Sequence, residues 1–217
     1  MKTILRFLLC PSLLALPLAQ VWSAAQIEGR VELSTGSGAA GVKARYQGNI
    51  TGLVAPPAAP VAVVYLEGDF PSLPATNLTA QVIQRQFQFL PAVLPVRKGT
   101  LVEFPNLDDS YHSVFSYSKP KRFDLGRYRK DEKSATVSFD QAGVVKLYCE
   151  IHEHMRATIL VLDTPHFTTT DTNGGFRLEN LPAGTFTLKA WLNEKTERQA
   201  TVELTEGATL KVNFTAP

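Results

Sequence analysis

The stretch VVKLYCEIHEHMRATILVLD, residues 144–163, contains two apolar runs separated by a short loop rich in side chains that bind metals. The runs VVKLYC and RATILVLD are rich in apolar and β-branched residues, which is typical of strands. The loop CEIHEHM contains one cysteine, two histidines and one methionine. This stretch therefore predicts two strands joined by a loop that can bind a metal ion.

The rest of the chain has the same strand-forming character. Apolar and β-branched runs of five to eight residues recur, and Gly, Pro, Asn or Asp interrupt them. Clear turn signals are RKGT (97–100), DQAG (140–143), DTNGG (171–175) and LPAGT (181–185). No segment has a sustained helical period. Closely spaced strands with these turns predict an all-β protein built from β-sandwiches.

Residues 1–25 have the layout of a secretory signal peptide. Lys2 and Arg6 provide a basic start, an apolar run follows, and small residues allow cleavage after Ala25. The run is too short to span a bilayer, and no later segment has the roughly 18 apolar residues of a membrane helix. We expect an exported protein without a membrane span. Residues 26–217 carry 20 basic and 20 acidic side chains, which argues against nucleic acid as a partner.

Cys149 is the only cysteine expected in the exported chain, because Cys10 belongs to the signal peptide. An unpaired thiol in an oxidising compartment is a liability unless it is deeply buried or bound to a metal. Thiolate, imidazole and thioether ligands together favour copper, and two histidines, one cysteine and a weak axial methionine form a blue-copper centre. The loop supplies one cysteine, at least one histidine and Met155, so a second histidine must come from elsewhere. His112 lies 37 residues before Cys149.

Residues 79–163 resemble the cupredoxin family. The resemblance rests on FLPAVLPVRKGTLVEFPNLDDSYHSVFS and FDQAGVVKLYCEIHEHMRATILVLD, whose Cys-x-x-His-x-x-Met loop has the short form of amicyanins. It implies a Greek-key sandwich and one type 1 copper ion, with His112, Cys149 and His152 as equatorial ligands and Met155 as the axial ligand. Many cupredoxins have asparagine after the first histidine, where this chain has Ser113. A hydroxyl group can replace part of its hydrogen bonding.

The segment TTTDTNGGFRLENLPAGTFTLKAWLNE (168–194) resembles the carboxypeptidase regulatory-like, or transthyretin-like, sandwich. We expect a signal peptide at 1–25, opening strands of this second sandwich at 26–75, the cupredoxin domain at 76–163 and the rest of the second sandwich at 164–217. The alternative is a simple tandem of two domains with an N-terminal extension.

These features predict a periplasmic one-electron carrier and not an enzyme, since no acid–base pair and no nucleophile with an adjacent base is evident. Expected partners are redox proteins such as a dehydrogenase or a c-type cytochrome. The cupredoxin resemblance implies docking at His152, through an apolar surface around Pro91, Leu94 or Met155. The alternatives are copper binding or delivery in the periplasm, and ligand binding by the second sandwich with structural copper.

Two further features of the sequence each allow two interpretations. The basic run SKPKRFDLGRYRK (118–130) is either a solvated hairpin, anchored by Phe123 and Tyr128, or a steering surface for an acidic partner. His154 is either a loop residue that faces solvent or a further ligand or partner contact. Glu150 and Glu153 are expected to face solvent.

Overall fold

The computed structural model describes residues 24–33, 59–70, 78–132 and 135–215. Within these ranges the chain forms strands and contains no helix, which confirms the predicted all-β class. Among the described residues no helix is therefore long and apolar enough to cross a membrane. The strands are β1 (Ala25–Val31), β2 (Val63–Glu67), β3 (Thr79–Gln81), β4 (Ile83–Arg85), β5 (Gln88–Leu90), β6 (Val93–Arg97), β7 (Thr100–Glu103), β8 (His112–Ser118), β9 (Lys121–Tyr128), β10 (Thr136–Phe139), β11 (Gly143–Tyr148), β12 (Arg156–Leu162), β13 (Phe167–Thr169), β14 (Gly175–Leu181), β15 (Gly184–Asn193), β16 (Thr196–Leu204) and β17 (Thr209–Phe214).

The first sandwich contains β3 to β12. Its larger sheet has the order β6-β12-β11-β8-β9, and a smaller sheet has the order β10-β7-β3. Strand β12 pairs antiparallel with β11 and parallel with β6. Both sheets contribute to one core, which includes Phe104, Val114, Phe139, Leu147 and Ile159, all inaccessible to solvent. The strands that flank the predicted ligand loop therefore lie in the middle of a well-packed sheet.

The second sandwich contains the remaining strands, in sheets of order β14-β1-β17 and β13-β2-β15-β16. Strand β1 pairs with β14 and β17, and β2 pairs with β13 and β15. Gly29 of β1 has no room for a side chain, because a Cβ atom there would lie 1.6 Å from the carbonyl oxygen of Val212. Strands from before residue 79 thus share two sheets with strands from after residue 163.

The predicted signal peptide, residues 1–25, lies largely outside the described residues, which begin at residue 24. Ala25, after which cleavage is predicted, is buried in β1 and pairs with Leu181. The proposed signal peptide and its cleavage point stay predictions.

A third apolar cluster joins the two sandwiches. Leu160 and Leu162 of β12 pack with Val63 and Trp191 of the second sandwich. An ion pair of 2.5 Å between Lys146 and Glu194 adds a polar contact. Leu160 pairs with Val144 near the start of β11, whereas the ligand loop follows Tyr148 at the other end of that strand. The second sandwich therefore packs against the sheet away from the ligand loop.

Candidate metal centre

The ligand loop is a tight connection between two paired strands. Tyr148 pairs with Arg156, and the loop 149–155 lies between them. The backbone N–H of Cys149 donates to the carbonyl oxygen of Met155 at 3.3 Å, and that of Met155 donates to the carbonyl oxygen of His152 at 2.9 Å. These bonds fix the backbone of three predicted ligands relative to one another.

His112 reaches the same point from a neighbouring strand. It is the first residue of β8, and β8 pairs with β11 through Phe115 and Tyr148. The potential ligand atoms of His112, Cys149 and His152 all lie within 4.8 Å of one another. The Nδ1 atoms of the two histidines are 3.0 Å apart, and the Sγ atom of Cys149 is 3.8 Å from Nδ1 of His152. A single ion with bonds of about 2.0 Å to nitrogen and 2.3 Å to sulfur fits donors at these separations.

The group is shielded from water by the first sandwich. His112 is completely buried, Cys149 is 5% exposed, and His152 is half-buried. Met155 is also buried, in the same apolar cluster as Cys149. The donor set of one thiol and two imidazoles, with a thioether nearby in the chain, suits a soft or borderline metal ion.

The electrostatics of the group favour a thiolate. Burial alone would raise the pKa of the Cys149 thiol, but hydrogen bonds from His112, His152 and the backbone of Ser113 lower it to about 5. Burial opposes charge on His112, yet its hydrogen bonds to Cys149 and Asp108 raise the pKa of this imidazole. A thiolate is the form of cysteine that binds metal ions.

Ser113 connects the two chain segments that carry the ligands. Its backbone N–H donates to the sulfur of Cys149 at 3.5 Å, and its hydroxyl group lies 3.9 Å from that sulfur. The same hydroxyl oxygen accepts a hydrogen bond from the backbone N–H of Glu150 at 2.8 Å. Ser113 therefore ties the ligand loop to β8, as expected if its hydroxyl replaces part of the asparagine function.

Asp108 is a site residue that the sequence analysis missed. Its Oδ2 atom lies 2.9 Å from Nε2 of His112, whereas the other ring nitrogen, Nδ1, lies 3.0 Å from Nδ1 of His152. Although burial opposes ionisation, hydrogen bonds from the backbone of Phe87, from His112 and from the backbone of Gln86 lower the pKa of this carboxyl group. The signal was present in DDSYH, where a carboxylate precedes His112 by four residues.

Phe87 and His154 complete the surroundings. The ring of Phe87 meets the rings of His112 and His152 edge-on, at centroid distances of 5.5 and 5.0 Å. His154 is half-buried, with its ring centroid 6.0 Å from that of His152. Its Nε2 atom is buried and finds no hydrogen-bond partner among the described residues. The Nε2 atom of His154 therefore does not face solvent, and the role of this residue as a ligand or a partner contact stays a prediction.

Of the three residues expected at an apolar docking surface, Pro91 is exposed and Leu94 is half-buried, whereas Met155 is buried. Met155 cannot contribute to a surface, because it is 1% exposed. Instead, Leu107, Tyr111 and Ile151 are exposed on the two segments that carry the ligands. Glu150 is exposed and forms an ion pair with Arg127, so it is directed away from the metal-binding group.

The basic hairpin is anchored to the first sandwich. Phe123 packs against the core and Tyr128 is part of it. Tyr128 also donates a hydrogen bond of 2.6 Å to the carbonyl oxygen of Phe104. Lys119 and Arg122 are exposed. The hairpin thus has an apolar inner face and a basic outer face.

Comparisons with known proteins give a family match for the C-terminal part. The model of the carboxypeptidase regulatory-like domain matches residues 155–217, which confirms the predicted resemblance of this part. No curated protein matches the chain significantly.

Similar solved structures include cupredoxins. Amicyanin from Paracoccus versutus is 20% identical, with 46% of this chain and 97% of that chain covered and a TM-score of 0.35. A purple cupredoxin from Nitrosopumilus maritimus is 23% identical, with 38% and 99% covered and a TM-score of 0.35. A copper-containing nitrite reductase from Thermus scotoductus is 26% identical, with 40% of this chain covered and a TM-score of 0.38. The matched region spans only 23% of that reductase chain.

Proposed function

We propose that this protein is an exported carrier of single electrons that binds one type 1 copper ion through His112, Cys149, His152 and Met155. The observation that carries this proposal is the convergence of a thiol and two imidazoles, all within 4.8 Å, inside a β-sandwich. Met155 is assigned as the weak axial ligand from its place at the end of the loop. Copper bound there would supply a Cu(II)/Cu(I) redox couple, which gains and loses one electron.

The residues around the site favour electron transfer over a loose binding function. His112 and Ser113 belong to β8, and the other ligands belong to a loop closed by backbone hydrogen bonds. Ser113 links these two parts through Glu150. A framework that holds the donors before a metal arrives limits their rearrangement when the charge of the ion changes. The buried rings and thiol also exclude water from the donors.

We assign the protein no catalytic reaction of its own. Although contacts at hydrogen-bonding distance run from Asp108 through His112 and His152 to Cys149, the Cys149 side chain is only 5% exposed. A substrate would have to displace the surrounding core to reach the sulfur atom. The half-buried edge of His152 is accessible enough for electron transfer, which requires proximity and no covalent contact.

Redox proteins of the periplasm, such as a dehydrogenase or a c-type cytochrome, are the proposed partners. Leu107, Tyr111 and Ile151 offer an apolar contact around the ligand-bearing segments. The basic outer face of the hairpin suits a partner with an acidic surface. Export to the periplasm is proposed from Lys2, Arg6 and the apolar run that follows.

The test is to load the purified protein with copper and to record its absorption and electron paramagnetic resonance spectra. We expect one copper ion per chain, an intense visible band from the thiolate, and reversible oxidation and reduction. The variants Cys149→Ser and His112→Gln should lose the band. His166→Gln, in a half-buried histidine of the second sandwich, is the matched control and should keep it. A pale protein that binds only Cu(I) would support copper delivery instead.

The partner surface has a separate test. The rate of electron exchange with an acidic redox protein should fall as salt is added, because exposed charges are screened. Arg122→Glu should slow the exchange at low salt, whereas Lys195→Glu, an exposed charge reversal on the second sandwich, should not. Equal effects of the two variants would argue against steering by the hairpin.

A further inference from the structure

A strained turn lies beside the metal-binding group. Strands β4 and β5 are joined by Gln86 and Phe87, which have φ angles of 53° and 59°. Residues other than glycine rarely adopt this left-handed backbone conformation, and two such residues in succession persist only where the surroundings hold them. Such strain is typical of positions under functional constraint.

Asp108 holds this turn in place. Its Oδ1 atom accepts a hydrogen bond from the backbone N–H of Gln86 at 2.7 Å, and its Oδ2 atom accepts one from Phe87 at 3.0 Å. Asp108 is fixed in turn by its own N–H, which donates to Oδ1 of Asn106 at 2.9 Å. The carboxylate therefore has a defined position that does not depend on His112.

The same carboxylate selects one form of His112. An ionised carboxylate only accepts hydrogen bonds, so Nε2 of His112, 2.9 Å from Oδ2, must carry a proton. In the neutral ring, which is the form that binds a metal ion, this leaves the lone pair on Nδ1, the atom that faces His152. The ring of Phe87 packs edge-on against both histidines and limits their rotation.

We propose that Asp108, held by the Gln86–Phe87 turn, is a positioning residue that presents Nδ1 of His112 to the metal and stabilises the oxidised ion by its negative charge. This assignment rests on the proposed copper function. A partner on the ring nitrogen that does not bind the metal fixes the ring and raises its basicity. The charge of Asp108, whose side chain is 13% exposed, acts more strongly on the more highly charged ion, so it should favour Cu(II) over Cu(I).

The test compares Asp108→Asn with Asp109→Asn. Asp109 is the next residue and is exposed, so its replacement by asparagine removes one negative charge without removing a contact to His112. For Asp108→Asn we expect a loss of 10- to 100-fold in Cu(II) affinity, the range typical for such partners, and a smaller loss in Cu(I) affinity. Each tenfold fall in the Cu(II) affinity relative to the Cu(I) affinity raises the reduction potential by about 59 mV. Asp109→Asn should change either affinity less than about twofold, and Asp108→Glu should restore part of the loss.

A measurement on the unaltered protein covers the case in which Asp108→Asn fails to fold. In the diamagnetic Cu(I)-loaded form, nitrogen NMR should show a proton on Nε2 of His112 that exchanges slowly with water. Equal affinities and potentials in the two asparagine variants, or an Nε2 proton that exchanges rapidly, would overturn the role of Asp108. An unaltered protein that gains no thiolate band with copper would overturn the proposed function itself, and with it this assignment.

Discussion

Replacing Ser113 with alanine tests whether this side chain ties the two ligand-bearing segments together. Ser113 is 1% exposed, and the change deletes the acceptor of the 2.8 Å hydrogen bond from the N–H of Glu150. A typical hydrogen bond contributes about 1 kcal/mol, and a buried donor left without a partner costs about 1–3 kcal/mol. Glu150 is exposed, so water can reach part of its backbone. We therefore expect the free energy of unfolding to fall by about 1–2 kcal/mol.

The assay is urea unfolding of the copper-free protein, in which the loss of stability is measured as a lower unfolding midpoint at constant slope. Ser138→Ala is the matched control, because its hydroxyl group donates an exposed hydrogen bond of 2.7 Å to the carboxylate of Asp140. Surface changes of this kind usually alter stability by less than about 0.5 kcal/mol. The copper-loaded Ser113→Ala protein should also show a shifted thiolate band. If Ser113→Ala and Ser138→Ala unfolded at the same urea concentration, the proposed tie between β8 and the ligand loop would be refuted.

Two further predictions concern the thiol and the second core. In the copper-free protein the thiolate of Cys149 should titrate near pH 5, measured by its ultraviolet absorbance, whereas an ordinary thiol titrates near 9.0. Because the pKa of this thiol is lower in the folded state than in the unfolded state, its contribution to stability is fully present above the unfolded-state pKa and is lost as the pH falls toward 5. The difference in unfolding free energy between the unaltered protein and Cys149→Ser should therefore grow from about pH 5 to 9. A difference that stays constant over this range would contradict the lowered pKa. Leu188→Ala should cost about 2–5 kcal/mol of unfolding free energy in denaturant, because the side chain is fully buried in the second core. Leu101→Ala, at 41% exposure, is the control, and an equal cost in both would contradict the assigned core.

The fold class could be predicted because strands and turns are local signals. In β11, for example, Val145 and Leu147 point into the core while Val144 and Lys146 lie on the other face, which is the alternation that a strand requires. The meeting of His112 with Cys149 was suggested by the need for a second histidine and by the cupredoxin resemblance, but it depends on the pairing of β8 with β11. The donors could be assigned to two segments from the sequence, but their separation could not.

The surroundings of the site could not be predicted in the same way. The spacing in DDSYH places Asp108 four residues before His112, but the turn that holds its carboxylate was not predicted, because nothing in the residue types of Gln86 and Phe87 indicates left-handed backbone. The position of His154 likewise depends on the closed ligand loop, which brings its ring within 6.0 Å of that of His152. These contacts arise from tertiary packing, which overrides the polar character of the individual residues.

We propose that one copper ion binds between His112, Cys149 and His152. The most direct test is a crystal structure of the copper-loaded protein with anomalous diffraction recorded at the copper absorption edge. We predict one anomalous peak within bonding distance of Sγ of Cys149 and of Nδ1 of both histidines. A peak elsewhere on the chain, or no peak next to the sulfur of Cys149, would show that copper does not bind at this site.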